Sequence, residues 1–118
     1  TKHTADKLLK DEYIRCIPVN FTRGLTFHDS VVIIDEAQNL TKQELTTLLT
    51  RFGENSKYII VGDTHQSDIN GKSGFKPIYN GFSTTASASQ GIYTFTFDVS
   101  EIVRSQILKY IVQVLEKV

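Results

Sequence analysis

Two short apolar runs, each stopping abruptly at acidic residues, set the reading of this chain. Val31-Val-Ile-Ile34 is β-branched throughout and ends in Asp35-Glu36, the pattern of a buried parallel strand delivering two acids to the carboxyl edge of a sheet. An ordinary buried strand running into a polar turn is the competing reading of those residues taken alone. Lys57-Tyr-Ile-Ile-Val61 repeats the pattern and ends in Gly62-Asp63, followed by Thr64-His65-Gln66-Ser67-Asp68. Between the runs, Thr41 and Glu44 have the spacing of a capping box that opens a helix of about a dozen residues. Leu45, Leu48, Leu49 and Phe52 form its apolar stripe, Arg51 is a dipole-compatible surface cation, and Gly53 is the expected C-cap.

The flanks are read from the same patterning. Residues 4–12 predict a short surface helix with Leu8 and Leu9 as its apolar contacts. Tyr13 to Val19 is strand-like, with Pro18 restricting it to an edge or a strand end. Phe21 to Phe27 is a loop hinged on Gly24, where Arg23 is either a solvated or a functional cation. Asn70-Gly71 signals a turn, and Lys72 to Phe82, with Pro77 and Gly81, predicts a long loop with little regular structure. Ser83 to Gln90 stays open between a short helix and a mobile connection. Ile92 to Phe97 alternates as a third strand. Ser100 is expected to cap a helix from Glu101 to about Lys117, with Val103, Ile107, Tyr110, Ile111, Val114 and Leu115 on one face. This order predicts an α/β fold, a mostly parallel sheet flanked by helices.

Composition narrows the function classes. Lys+Arg and Asp+Glu both number 13, so net charge supplies no long-range field for nucleic acid or anionic membrane, and any such binding must rest on a local patch. The single cysteine, Cys16, excludes an internal disulfide and a Cys-based zinc site and is expected to be a buried structural thiol in a reducing compartment. No apolar stretch approaches the roughly 18 residues of a membrane span, and the start is not a signal peptide. At 118 residues the chain is one domain at most, small for a complete nucleotide-hydrolysing domain, and it contains no Met. A piece of a longer protein is the resulting expectation.

Two acid-tipped strands side by side would line Asp35, Glu36, Asp63, His65, Gln66 and Asp68 along one edge. An acid at the first tip can hold Mg²⁺, largely through water, and the next can polarise an attacking water. A glutamine on the neighbouring tip can sense a terminal phosphate. That combination is a Walker B arrangement with its partner motif.

Asp35-Glu-Ala-Gln38 with Gly62-Asp-Thr-His-Gln66 resembles motifs II and III of superfamily-one helicases. A longer string is more specific: Arg23-Gly24, Val31 to Asn39, Leu49-Thr50-Arg51, Gly62 to Asp68, Ser73-Gly74 and Ile102-Val103-Arg104. In that order and spacing the chain resembles the PhoH family of phosphate-starvation ATPases, in a form similar to bacteriophage members, over about residues 13 to 116. The resemblance implies a partial RecA-like P-loop NTPase fold, ATP hydrolysis with Mg²⁺, assembly into homo-oligomeric rings, action on RNA, and a cytoplasmic location without membrane contact. It also implies roles: Asp35 as the Mg²⁺ carboxylate, Glu36 as the base, Gln66 as the γ-phosphate sensor and Asp63 as a residue shaping that site. Gln38 would link nucleotide to conformational change, and Arg104, ahead of Arg23, would contact phosphate or a neighbouring subunit.

The chain departs from the family in having no Walker A motif. Gly71-Lys72-Ser73 imitates its last three residues, but Gln66 stands where the required glycine belongs, and Gly74 to Phe82 is expected not to open a helix. The P-loop is therefore expected upstream of Thr1, and these residues alone to bind ATP weakly and hydrolyse it negligibly. The P-loop strand would lie between the strands at 57–61 and 92–97, leaving a vacancy in the sheet and a tendency to rearrange, self-associate or take up a strand. Two other readings remain. Asp35, Glu36, Asp63, His65 and Asp68 could form a metal-dependent phosphoesterase centre. Lys72 and Lys76 among Phe75, Tyr79 and Phe82 could instead form a stacking platform for single-stranded nucleic acid, or those aromatics could simply pack a long loop onto the core. His3 and His28 look incidental.

Overall fold

The computed structural model describes every residue except Ser67, Asp68, Asn70, Ile102 and Arg104. It is α/β, with a small parallel sheet flanked by helices, consistent with part of a P-loop NTPase fold. Two compact units divide the chain, Thr1–Gly81 and Phe82–Val118.

In the first unit, β1 (Val31–Ile34) and β2 (Lys57–Ile60) pair in parallel, with Val31 opposite Lys57 and Ile34 opposite Ile60. The crossover between them is α2 (Lys42–Leu49). Thr41 caps α2 by accepting from the Glu44 N–H at 3.2 Å, the half of the capping box that matters most for an orphan donor. The helix is shorter than its apolar stripe suggested: Leu45 and Leu48 are buried, whereas Phe52 lies beyond the helix, exposed, with its ring 5.1 Å from Tyr58. Gly53 is not a left-handed cap. A side chain there would put its Cβ 2.3 Å from the Phe27 carbonyl oxygen, so the glycine is required by the close approach of two backbones at the Phe27–Phe52 bridge. Arg51 is half-buried instead of fully solvated: its Nε is out of solvent and has no hydrogen-bond partner among the described residues.

Ile34, Ala37, Leu45 and Leu48 form the buried core, with Val32, Tyr58, Ile60, Phe75 and Ile78 packed around it. Only one face of the sheet contributes. Val31, Ile33, Ile59 and Val61 point the other way and are exposed, so the expectation of strands buried on both faces is corrected to half-buried strands.

The segment from Lys72 holds the largest departure from the sequence reading: α3 (Phe75–Phe82) is a helix, not an irregular loop. Pro77 is its third residue, where the backbone N–H would have no intrahelical partner, so the missing donor costs nothing there. The Ser73 hydroxyl accepts from the Phe75 N–H at 3.3 Å and closes the start.

Nearer the N-terminus, α1 (Lys2–Lys10) buries no side chain. The expected strand at 13–19 is absent, because Tyr13 and Ile14 fold back on α1: their N–H groups donate to the Leu8 carbonyl at 3.0 and 3.3 Å, through Glu12 in a left-handed conformation. Pro18 then opens a 3₁₀ turn, Val19–Phe21. Cys16 is exposed, not a buried thiol.

In the second unit, the open choice at 83–90 resolves as α4 (Thr85–Ser89), capped by Thr84. Residues 92–97 form no strand: Tyr93, Phe95 and Phe97 are exposed, and alternation by itself supplies no ladder partner. The last helix, α5 (Gln106–Leu115), begins at Ser105 rather than Ser100. Residues Val99–Glu101 instead form a 3₁₀ turn in which the Asp98 N–H donates to Glu101 Oε2, a local bond that removes Glu101 from the helix. Among the described residues no helix is long and apolar enough to cross a membrane.

Candidate functional site

Parallel pairing brings both acidic tips to one edge, because β1 and β2 run in the same direction and end level with each other. The pairing extends past the ladder: the Val61 N–H donates to the Ile34 carbonyl and the Ala37 N–H to the Val61 carbonyl, each at 2.9 Å. Immediately beyond β1 the chain turns through Glu36, which has φ of +53°. A left-handed conformation costs a non-glycine residue about 1–2 kcal/mol. Two hydrogen bonds hold it: the Glu36 N–H donates to Asp35 Oδ1 at 2.9 Å, and Gln38 Nε2 donates to Glu36 Oε2 at 2.6 Å.

Gln38 is the hinge of the site. It lies in the 3₁₀ turn Ala37–Asn39 and is 3% exposed. While its Nε2 holds Glu36, its Oε1 accepts from the Asp63 N–H at 3.0 Å, so one buried amide ties the tip of β1 to the tip of β2. Asp63 in turn shapes the next turn, with Oδ1 accepting from the His65 N–H at 2.9 Å and its carbonyl from the Gln66 N–H at 3.2 Å. Asp35, Glu36, Gln38 and Asp63 are therefore joined by direct bonds, and His65 and Gln66 stand on that Asp63 turn with exposed side chains.

Other residues singled out in the sequence fall elsewhere. Arg23 is exposed in the loop before Gly24 and makes no ion pair with any described residue. Arg104 and Asp68 lie outside the described residues. Among those described, no three of His, Cys, Asp and Glu cluster closely enough to hold a metal ion, so Asp35, Glu36, Asp63 and His65 by themselves do not assemble the ligand set of a phosphoesterase centre. A single carboxylate suits Mg²⁺ when waters and phosphate oxygens supply the remaining positions. Asp35 fits that role: it is exposed at the strand tip, and its Oδ2 accepts no hydrogen bond from a described residue.

One neighbour of this network, Phe75, carries no strand-tip signal in the sequence. The Gly62 Cα has no room for a side chain, since a Cβ would lie 2.8 Å from Phe75 Cε1 and 3.0 Å from Gln38 Oε1. Phe75, half-buried against the core, thus meets the site instead of standing free as a stacking platform. The helical spacing of Phe75, Ile78, Tyr79 and Phe82 was the available signal. Ser73, the apparent end of a P-loop imitation, spends its hydroxyl on the α3 start.

The opposite edge of the sheet is a structural clasp. His28 Nδ1 accepts from the Glu54 N–H at 3.0 Å, Asp29 Oδ1 from Asn55 Nδ2 at 2.9 Å, and the Ser56 hydroxyl donates to the Phe27 carbonyl at 2.8 Å. His28 is therefore not incidental. A hollow of about 330 Å³ beside it is lined by Asp29, Asn55, Phe52 and Lys57 among others, at the far end of the strands from the acids.

A sequence model of the family described as "PhoH-like protein" matches residues 1–116. A PhoH-like protein of Bacillus subtilis is 33% identical over 118 residues, covering 98% of this chain and 35% of the relative. Protein PhoH2 of the same organism is 52% identical over 50 residues, 42% of this chain and 11% of the relative. Protein PhoH of Escherichia coli K12 is 45% identical over 56 residues, 48% of this chain and 16% of the relative. The chain thus spans about a third, or less, of the length of these relatives.

Proposed function

The chain belongs to the PhoH-like protein family, and from that premise we propose that its acid-tipped sheet edge is the hydrolysis half of a Mg²⁺-dependent ATP site. The observation that carries this reading is the Gln38 bridge, which joins the carboxylate of Glu36 to the backbone of Asp63 across the two tips. Asp35 would hold the metal ion, which when bound offsets phosphate charge. Glu36 orients and deprotonates the attacking water, its left-handed backbone turning the carboxylate back toward Gln38. Gln66, presented by the Asp63 turn, contacts the terminal phosphate. Arg23 and Arg104 serve phosphate or a neighbouring subunit. Work on RNA by a ring of such subunits in the cytoplasm completes the reading, and these parts rest on the family resemblance.

Hydrolysis also needs a cradle of backbone N–H groups and a lysine around the β- and γ-phosphates. These 118 residues contain no Walker A motif, so they supply the chemistry of the water side without the grip on the phosphates. Weak binding and negligible turnover follow for the chain by itself. Amide NMR with MgATP at about 1–10 mM, the range of a weak site, tests this. Shifts confined to residues 35–38 and 62–66, lost in Asp35→Asn, are expected. No shift there, or a Glu36-dependent ATPase rate in this chain alone, would overturn the half-site.

A further inference from the structure

Gln38 can perform its bridge in one orientation only. With Oε1 toward the Asp63 N–H and Nε2 toward the Glu36 carboxylate, both ends are matched. Rotating the amide by half a turn would oppose donor to donor and acceptor to acceptor, two repulsions at a buried position. The amide must also be kept at the right depth, and Phe75 stands where it can do that. Its ring edge and Gln38 Oε1 converge on the same point above Gly62: a Cβ there would meet Phe75 Cε1 at 2.8 Å, Phe75 Cδ1 at 3.0 Å and Gln38 Oε1 at 3.0 Å.

Phe75 is itself held from the segment that follows Gln38. The Gly74 N–H donates to the Leu40 carbonyl at 2.9 Å, and Thr41 bridges Ser73 in antiparallel fashion. Gly74 is pressed so closely on the start of α2 that a Cβ would lie 2.3 Å from the Lys42 nitrogen. The start of α3 is thus packed against both the segment that follows Gln38 and the tip of β2 at Gly62.

We propose that Phe75 is a positioning residue: its ring, wedged over Gly62, fixes the Gln38 amide and through it the carboxylate of Glu36. α3 then senses the state of the 62–66 turn, because a displacement of Gly62 presses directly on the ring at its first residue. The proposal rests on the preceding reading only in naming Glu36 as the base; the geometric claim stands without nucleotide.

The test follows the Gln38 side-chain NH₂ signals by ¹⁵N NMR, assigned by their loss in Gln38→Leu. In the unaltered chain these signals lie away from free-amide positions, and Glu36→Leu, which removes the acceptor of Nε2, moves them toward those positions. Phe75→Leu, which keeps most of the apolar volume but removes the flat ring, is expected to shift them in the same direction, while the Leu45 methyl signals stay in place. Gly62→Ala is expected to do the same by pushing from the other side, and Gly62→Ala combined with Phe75→Leu to return the signals part of the way. Unchanged Gln38 signals in Phe75→Leu would overturn the proposal, whereas a purely structural Phe75 would move the Leu45 methyls and stability together. Absence of any MgATP effect would count against the ATP site and leave this result intact.

Discussion

Tyr58 shows how a single polar group is tuned by its place in the core. Its side chain lies on the inward face of β2, and its hydroxyl donates at 3.2 Å to the Leu48 carbonyl near the end of α2, which also accepts from the Arg51 N–H at 3.1 Å. Burial raises its pKa above the ordinary 10.0, and the nearby Arg51 charge pulls the other way. A group whose folded pKa is raised contributes stability that is fully present below its unfolded value and is lost as pH rises through the folded value. Denaturant unfolding should therefore show stability falling above about pH 10. Tyr58→Phe should flatten that alkaline limb while costing about 1 kcal/mol at neutral pH through the lost hydrogen bond. An alkaline limb of unchanged steepness in the variant would show that another group is responsible.

At the scale of elements, α3 tests the rule that proline breaks helices. Because Pro77 occupies the first turn, where N–H groups have no intrahelical acceptor, Pro77→Ala should change stability by no more than about 0.5 kcal/mol, whereas Ser73→Ala should cost about 1 kcal/mol by removing the bond to the Phe75 N–H. A large loss in Pro77→Ala, read by chemical denaturation, would mean that the ring itself is packed. The same element explains what could be read from residues alone. Val31–Glu36 and Lys57–Asp63 were legible because a β-branched run ending in acids has few structural solutions. The stripe Phe75, Ile78, Tyr79, Phe82 is equally periodic, but Pro77 and Gly81 signal a loop by residue type, and only the position of Pro77 in the first turn makes it compatible with a helix. Residues 92–97 carry the alternation of a strand, and alternation specifies faces without specifying a neighbour to pair with. Within the site, Asp35, Glu36, Gln38 and Asp63 were visible as strand tips. The convergence of Phe75 and Gln38 on Gly62 was not, since it joins residues brought together only by packing.

At the largest scale, the second face of the sheet, which no element of the unit Thr1–Gly81 covers among the described residues, is the property with the largest consequence. Parallel strands are ordinarily covered on both faces, and here α2 and α3 serve one side while Val31, Ile33, Ile59 and Val61 remain 65%, 66%, 44% and 49% exposed on the other. Among the described residues the sheet has two strands, so each also presents an unpaired edge. Apolar patches of this kind on soluble domains mark contact surfaces or drive association. Light scattering should then give a mass above 13.3 kDa that rises with concentration into the range of about 100 μM. Ile33→Thr with Ile59→Thr keeps β-branched residues on an exposed face and should leave the fold intact while removing about 1–2 kcal/mol of apolar contact per site, roughly tenfold in association for each. The exposed stripe of α5, with Ile107 and Ile111, is the internal control. A monodisperse 13.3 kDa species throughout, or association abolished by Ile107→Lys and untouched by the two threonines, would show that the sheet face does not drive it.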